Sequence, residues 1–317
     1  MKLHQLQALV VIAETGSIRA AARILGISQA AVTKALRELE TEQQLPLALR
    51  NASGISFTEY GKALLTHARL IVGQLNRAQT ELAQFRGQGK VQLSIGITPW
   101  VILAFLPEVV TRFRQQMPDV QLEIFEGLMG VSQSRLRHGD MDFAISQHLN
   151  DVMAQEFSSQ VLLSYRSWVA VRSGHPLQSC SSIHGLLEHD WVVNYATDGR
   201  EAFMDNLFWQ HGAYIDENRI IRAHSLGLLQ TLVEQAGMIG FYPGPLLVTL
   251  PLRERMVVLP LKEQFQLARL GIITRRDNTL SSAAQCFIDC LIYVIRRHFR
   301  SASSDDRLLF DSLELLI

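Results

Sequence analysis

The stretch "SIRAAARILGISQAAVTKALRELE", residues 17–40, reads as an alanine-rich helix broken at Gly26, and the break decides the fold of the N-terminal segment. Ser17 and Ser28 stand as N-caps ahead of two helical patterns, Ile18–Leu25 and Gln29–Gln44. An earlier pattern, Leu3–Thr15, ends at Gly16. Only "GIS" separates the second and third patterns, the length that joins the two helices of a helix-turn-helix. Glycine enters the left-handed backbone region without a Cβ clash, so Gly26 turns the chain and produces two crossed helices. Ala20, Ala21 and Ala22 allow close approach. Ile24, Leu25, Ile27, Val32, Leu36 and Leu39 are expected to fill a shared core.

On the third helix, Gln29, Thr33, Lys34 and Arg37 form one outward stripe of hydrogen-bonding and cationic groups. "LPLALRNASGISFTEYG", residues 45–61, alternates apolar and polar residues around Ser53-Gly54 and predicts a hairpin wing with Arg50 at its base. Residues 1–58 hold Lys2, Arg19, Arg23, Lys34, Arg37 and Arg50 against Glu14, Glu38, Glu40 and Glu42, a balance of +2 within a chain of net charge zero. Zero overall charge argues against a uniformly basic nucleic-acid binder but permits one basic face. A helical packing module with a solvated polar face is the competing reading of the same pattern.

"LHQLQALVVIAETGSIRAAARILGISQAAVTKALRELE", followed by "LPLALR" and "ISFTEYGKALL", resembles the winged helix-turn-helix of LysR-type transcriptional regulators. The resemblance implies binding of double-stranded DNA through Arg19, Ser28, Gln29, Thr33, Lys34, Arg37 and Arg50. Three positions depart from the family's habit. Ala30 replaces a proline after the glutamine, Gln44 a glycine, and Ala48 a phenylalanine under the wing.

From residue 59 onward, Leu64, Ala68, Ile71, Leu75, Ala78, Leu82 and Phe85 alternate in steps of four and three, a coiled-coil seam. A seam this narrow and long pairs best with the same helix of a second subunit, while packing on the chain's own globular part is the alternative. "RGQGK", residues 86–90, ends the periodicity and reads as a hinge. The resemblance makes this the dimerising linker, which would set two recognition helices into successive major grooves.

Beyond it, short β-rich runs alternate with helices, the mark of doubly wound α/β architecture. "VQLSIGI", a helix over Pro99–Met117, "VQLEIFE", a helix ending at Gly139 and "MDFAIS" make one set. "SWVAVR", "WVVNY", a helix near Arg200–Gln210, "RIIRAHS", a helix over Leu226–Ala236 and "MIGFYP" make a second. "RLGIITRR" and the last long helix return to the first. "RLRHGDMDFAI" and "VEQAGMIGFYP" resemble the two-lobed, periplasmic-binding-protein-like effector domain of the same family. The expected organisation is multidomain α/β. A winged helix-turn-helix spans 1–58, and a linker helix with hinge spans 59–89. An effector domain spans 90–300, with lobe I about 90–163 and 267–300 and lobe II about 164–266. A tail, 301–317, is either a docking helix or an oligomer contact.

In open sheets ligands collect at the carboxyl ends of strands, beside helix N-termini. Thr98 and Pro99 sit where the first strand gives way to a helix, as a capping residue and a first helical residue, with Trp100 next. Ser225 holds the equivalent place in the second lobe. Gln147 and His148 follow one strand, and Tyr195, Thr197 and Asp198 another; Phe241 lies on "MIGFYP". Thr98, Pro99, Trp100, Gln147, Tyr195, Thr197, Ser225 and Phe241 therefore make a candidate effector cleft for a small anion, best a carboxylate, with Trp100 against its apolar part. Read one by one, Thr98 and Ser225 serve as helix caps and Trp100 as lobe packing.

The sequence contains no GxxxxGK[ST] loop, no GxGxxG after a strand, no HExxH and no GxSxG elbow, so no catalytic residue, metal site or cofactor is assigned. Cys180, Cys286 and Cys290 are too few and too uneven for a disulfide framework, and Cys286 and Cys290 lie among core residues. His175-Pro176 reads as a structural turn. With no export signal and no apolar span of membrane length, the chain reads as a cytoplasmic protein without a membrane partner. Its expected partners are DNA, a small effector, a second copy in a dimer or tetramer, and RNA polymerase. The rival reading is a small-molecule-binding protein or enzyme carrying a helical oligomerisation module.

Overall fold

The computed structural model describes residues 1–317 except 52–53, 86–90, 128, 148–155, 196–198, 250–251 and 277–278. It divides into two compact units, residues 1–91 with 137–140, and residues 92–136 with 141–317.

In the first unit, α1 (Leu3–Thr15), α2 (Ile18–Leu25) and α3 (Gln29–Gln43) follow the expected pattern. Ser17 accepts from the Ala20 amide and Ser28 from the Ala31 amide, so each side chain satisfies one orphan donor of its helix. Gly26 takes φ 66°, ψ 26° and its amide bonds back into α2, closing that helix. Gln44 is also left-handed, at φ 55°, which ends α3 one residue earlier than expected. The strands β1 (Ala48–Asn51) and β2 (Gly54–Phe57) form the antiparallel wing, with Arg50 opposite Ile55. Ser53 lies outside the described residues.

The core of this unit comprises Leu6, Leu9, Ile12, Ala21, Ala22, Val32, Leu36, Leu39 and Leu47, with Leu25 at its margin. Ile24 and Ile27 were expected in it but are 62% and 46% exposed. Ala21, Ala22 and Leu25 define the buried side of α2, which turns Ile24 outward, and Ile27 sits in the turn itself.

The 27-residue helix α4 (Glu59–Phe85) begins against the wing. A Cβ on Gly61 would stand 2.0 Å from the Leu47 carbonyl oxygen, so the close approach requires glycine. Leu64, Leu65, Ala68 and Val72 pack on the unit's own core, whereas Ile71 and Leu82 are exposed. The seam therefore divides: its first turns belong to the chain itself.

The second unit holds two sheets, counted among the described residues. The six-stranded sheet runs β13 (Leu313–Leu315), β6 (Phe157–Tyr165), β12 (Ala268–Arg275), β5 (Phe143–Gln147), β3 (Gln92–Ile97), β4 (Gln121–Glu126). The five-stranded sheet runs β11 (Met256–Val258), β7 (Ser167–Arg172), β10 (Ile239–Pro243), β8 (Trp191–Val193), β9 (Ile220–Arg222). Strands β4, β3 and β5 are mutually parallel, as are β9, β8 and β10. Crossover helices lie between them, which is the doubly wound arrangement. Strands β6 and β12 pair antiparallel with each other and carry the chain between the sheets.

The expected helix over Pro99–Met117 is two helices, α5 (Pro99–Ala104) and α6 (Leu106–Gln116), broken at Phe105. Pro107 lacks the N–H that a continuous helix would use and its ring would clash one turn back. Helices α7 (Met129–His138), α8 (Arg200–Leu207), α9 (Leu226–Ala236), α10 (Gly244–Val248) and α11 (Ser282–Phe299) complete the unit. The tail docks within the chain: α12 (Ser304–Asp311) leads into β13, which covers the free edge of β6. No described helix is long and apolar enough to cross a membrane.

Candidate functional site

Two surfaces carry the residues expected to function, one in each unit. On α3, Gln29, Lys34 and Arg37 are exposed and Thr33 is half-buried beside them, because Val32, Ala35, Leu36 and Leu39 take the opposite face into the core. Ser28 spends its hydroxyl on the helix cap at 3.1 Å. Arg19 is exposed on α2. The lower half of the same face changes sign. Glu38 lies 3.7 Å from Lys34, and Glu42 pairs with the N-terminal ammonium of Met1. Cations on the first turns and carboxylates on the later ones favour entry of the N-terminal half of α3 into a groove lined by phosphates. Ala30 leaves this start intact, since Ser28 caps the helix without a proline at the next-but-one position.

One residue of this unit escaped the sequence reading. Glu40, on the half-buried side of α3, accepts the amides of Leu47 at 2.9 Å and Ala48 at 3.1 Å, and so fixes where the wing begins. A glutamate seven and eight residues from its two partners has no local signature.

In the second unit a cavity of about 310 Å³ opens between the two sheets. Thr98, Pro99, Trp100, Gln147, Tyr195, Ser225 and Phe241 all line it, while Thr197, His148 and Asp198 lie outside the described residues. The strand ends explain the convergence: β3 delivers Thr98, β5 Gln147 and β8 Tyr195, and Ser225 is the N-cap of α9. Thr98 corrects an expectation. Its side chain makes no cap hydrogen bond, although its backbone amide is held by the Ile145 carbonyl at 2.9 Å. Ser225 does cap α9, accepting from Leu228 at 3.2 Å.

Trp100 is fully buried, edge-on to Tyr165 at 5.6 Å and to Phe105 at 6.2 Å, and its Nε1 has no partner of hydrogen-bond geometry. It is at once lobe packing and cavity wall. An aromatic row also lines the cavity: Tyr195 lies 4.8 Å from Phe203 and Phe203 5.9 Å from Phe241, with Phe265 behind the lining 5.2 Å from Phe241. Arg222 stacks over the Tyr195 ring at 4.5 Å and donates to the Tyr195 carbonyl, behind the wall. No described lining residue is charged; the polar lining is Thr98, Ser146, Gln147, Ser167, Asn194, Tyr195, Asn206, Ser225 and Gln266, with Tyr165 and Tyr242. Tyr242 is held neutral, because burial and then the charge of Glu234 push its phenol above the ordinary range.

His175 and Cys290 serve the fold. The ring of His175 accepts the Leu177 amide and bonds the Gly237 carbonyl at 3.0 Å, locking the turn. Cys290 is buried in α11, and burial, then the neighbouring Cys286, push its thiol up to about 11.

The molecule thus belongs to a class: a winged helix-turn-helix joined by a long helix to a two-lobed α/β unit with a neutral, aromatic cleft. Residues 3–62 match the bacterial regulatory helix-turn-helix protein, lysR family, and residues 86–295 match the LysR substrate binding domain. The chain belongs to the LysR family of transcriptional regulators, with a DNA-binding helix-turn-helix and an effector-binding domain. The Escherichia coli K12 regulator YdcI, described as uncharacterized, is 26% identical over 292 residues, 92% of this chain and 95% of the relative. PcaQ of Agrobacterium fabrum is 31% identical over 179 residues, 56% of this chain and 58% of the relative. A full-length OxyR variant of Pseudomonas aeruginosa shares the fold at TM-score 0.59 and 18% identity, covering 93% of this chain and 98% of its own. Full-length CbnR, solved with its target DNA, shares it at TM-score 0.57 and 19% identity, covering 94% and 99%. The curated relatives are described as regulators, not enzymes.

Proposed function

We propose that the protein is a cytoplasmic, ligand-responsive transcription regulator that binds operator DNA through the face of α3 and the wing, and a small carboxylate in the cavity of its second unit. Residues 1–58 serve as the DNA-binding domain, 59–89 as linker, 90–300 as the effector domain and 301–317 as a tail. Arg19, Gln29, Thr33, Lys34, Arg37 and Arg50 meet the duplex, with Ser28 holding the start of the helix. A second copy pairs along the exposed part of α4, where Ile71 and Leu82 leave apolar surface uncovered, giving a dimer or tetramer that acts with RNA polymerase. Pairing is also what lets two α3 helices read a near-palindromic site.

One observation carries the reading: a single chain holds both a well-capped helix-turn-helix with its cations outward and a cavity lined by neutral donors and aromatic rings. A cavity of this volume suits a small organic molecule. Thr98, Gln147 and the Trp100 N–H supply hydrogen bonds for an acid group, and the Tyr195–Phe203–Phe241 row takes the apolar body. Since ligand shifts a regulator only through differential affinity for its two arrangements, binding between two lobes is the natural lever. The test is a thermal-shift panel of small carboxylates on the intact protein. A carboxylate that raises the melting temperature of the wild type, with the rise lost in Thr98→Ala, supports the site. No response to any member, or a response unchanged in Thr98→Ala, rejects it.

A further inference from the structure

Strand β4 ends on Glu126 at the edge of the six-stranded sheet, and its carboxylate reaches across to the other lobe. Oε1 accepts the Leu226 amide at 2.7 Å. Leu226 is the first residue of α9, which packs on the five-stranded sheet, and both Leu226 and its N-cap Ser225 line the cavity. The backbone leading to this contact is firmly placed. Glu126 pairs with Ile97 in the β3–β4 ladder, and the next amide, Gly127, bonds the Ile97 carbonyl at 2.7 Å. A Cβ at Gly127 would stand 2.8 Å from the Ile97 amide nitrogen, so the chain turns there only as glycine.

A helix N-terminus presents unpaired amides and partial positive charge, and α9 has both claims answered from within the chain: Ser225 takes the Leu228 amide and Glu126 takes that of Leu226. We infer that Glu126, an exposed carboxylate that does not itself line the cavity, is an interlobe tie that places a negative charge beside the α9 end of this cleft. It holds the first amide of α9 to the six-stranded sheet, and its charge, next to the lining residues Ser225 and Leu226, disfavours a second negative charge at this end of the cavity. Resting on the effector reading above, the consequence for specificity is that the effector carries one acid group and not two. The tie itself is independent of that reading.

The experiment uses the intact protein and its Glu126→Ala and Glu126→Gln variants, with hydrogen exchange read on the segment containing Leu226. A charge-assisted bond lost from a backbone amide predicts exchange faster by about tenfold in Glu126→Ala. Acetate restores protection in that variant while chloride at equal concentration does not, because only the carboxylate replaces the missing group. Glu126→Gln keeps most of the protection, its amide oxygen accepting the same N–H. Unchanged exchange in Glu126→Ala, or equal effects of acetate and chloride, overturns the tie.

Charge selection is read by thermal shift with benzoate and terephthalate. The dianion gains about tenfold in affinity on going from wild type to Glu126→Gln, and the monoanion is unchanged. An equal gain for both, or none for the dianion, overturns the selectivity. If exchange behaves as stated while neither anion binds any variant, the selectivity falls and the tie stands, and the effector reading is decided separately by the full carboxylate panel.

Discussion

Glu40 and Leu47 are joined by a 2.9 Å hydrogen bond from the Leu47 amide to the glutamate carboxylate, which also takes the Ala48 amide. Through it the helix that offers Lys34 and Arg37 also fixes the base of the wing carrying Arg50. Replacement by alanine leaves two amides at a partly buried turn without their acceptor, a loss of roughly 1–3 kcal/mol. Glu40→Ala should lower the urea midpoint of the N-terminal unit, and Glu40→Gln, which keeps one accepting oxygen, should lose less. Equal midpoints for wild type and Glu40→Ala would remove the wing anchor from the account.

Gln44 closes α3 at φ 55°, in the backbone region where a side chain is strained. The position is one where the family habitually has glycine. Gln44→Gly should therefore stabilise the N-terminal unit by about 1 kcal/mol, read as a raised melting temperature, the relief of left-handed strain exceeding the added flexibility of the unfolded chain. A lowered melting temperature contradicts this.

Much of this unit is legible in the sequence, because serine caps, glycine stops and helical periodicity are local signals. The limits of α1 and α2, both serine caps and the wing strands follow from them. What stays hidden is set by partners distant in sequence. Ile24 has the residue type of a core position, yet the geometry of Ala21, Ala22 and Leu25 turns it to solvent. The break at Phe105 is written in Pro107 but masked by the apolar run around it. Seven of the eight residues nominated for the cleft line one cavity, since strand ends converge by topology. Glu126 is invisible for the opposite reason: its partner lies 100 residues away. The β13 strand, three residues long, is too short to show alternation.

Asp306 anchors the tail helix, with its carboxylate 2.6 Å from His298 Nδ1, while the other ring nitrogen of His298 meets Glu108 at 3.0 Å. Burial opposes ionisation of Asp306, but hydrogen bonds from Ser301 and His298 and the charges of His298 and Arg297 outweigh it and hold the carboxyl below its ordinary value of 3.8. A depressed acid stabilises the fold above the unfolded value and loses that contribution as pH falls through the folded one. The protection factor of residues 304–315, the exchange rate of an unstructured chain at the same pH divided by the observed rate, should thus stay high at pH 5 and fall below about pH 3.8, and Asp306→Asn should lower it at neutral pH. A tail equally protected at pH 5 and pH 3 contradicts this anchoring.

DNA reading by the α3 face is decided by a salt titration of the intact protein on the DNA upstream of its own gene. Site-selective binding is expected, with the logarithm of affinity falling linearly and steeply with the logarithm of salt concentration, each neutralised phosphate contributing about −0.9 to the slope. Lys34→Ala and Arg37→Ala should each weaken it by at least about tenfold. Binding with no preference over random DNA, or affinity untouched by both substitutions, would contradict the account.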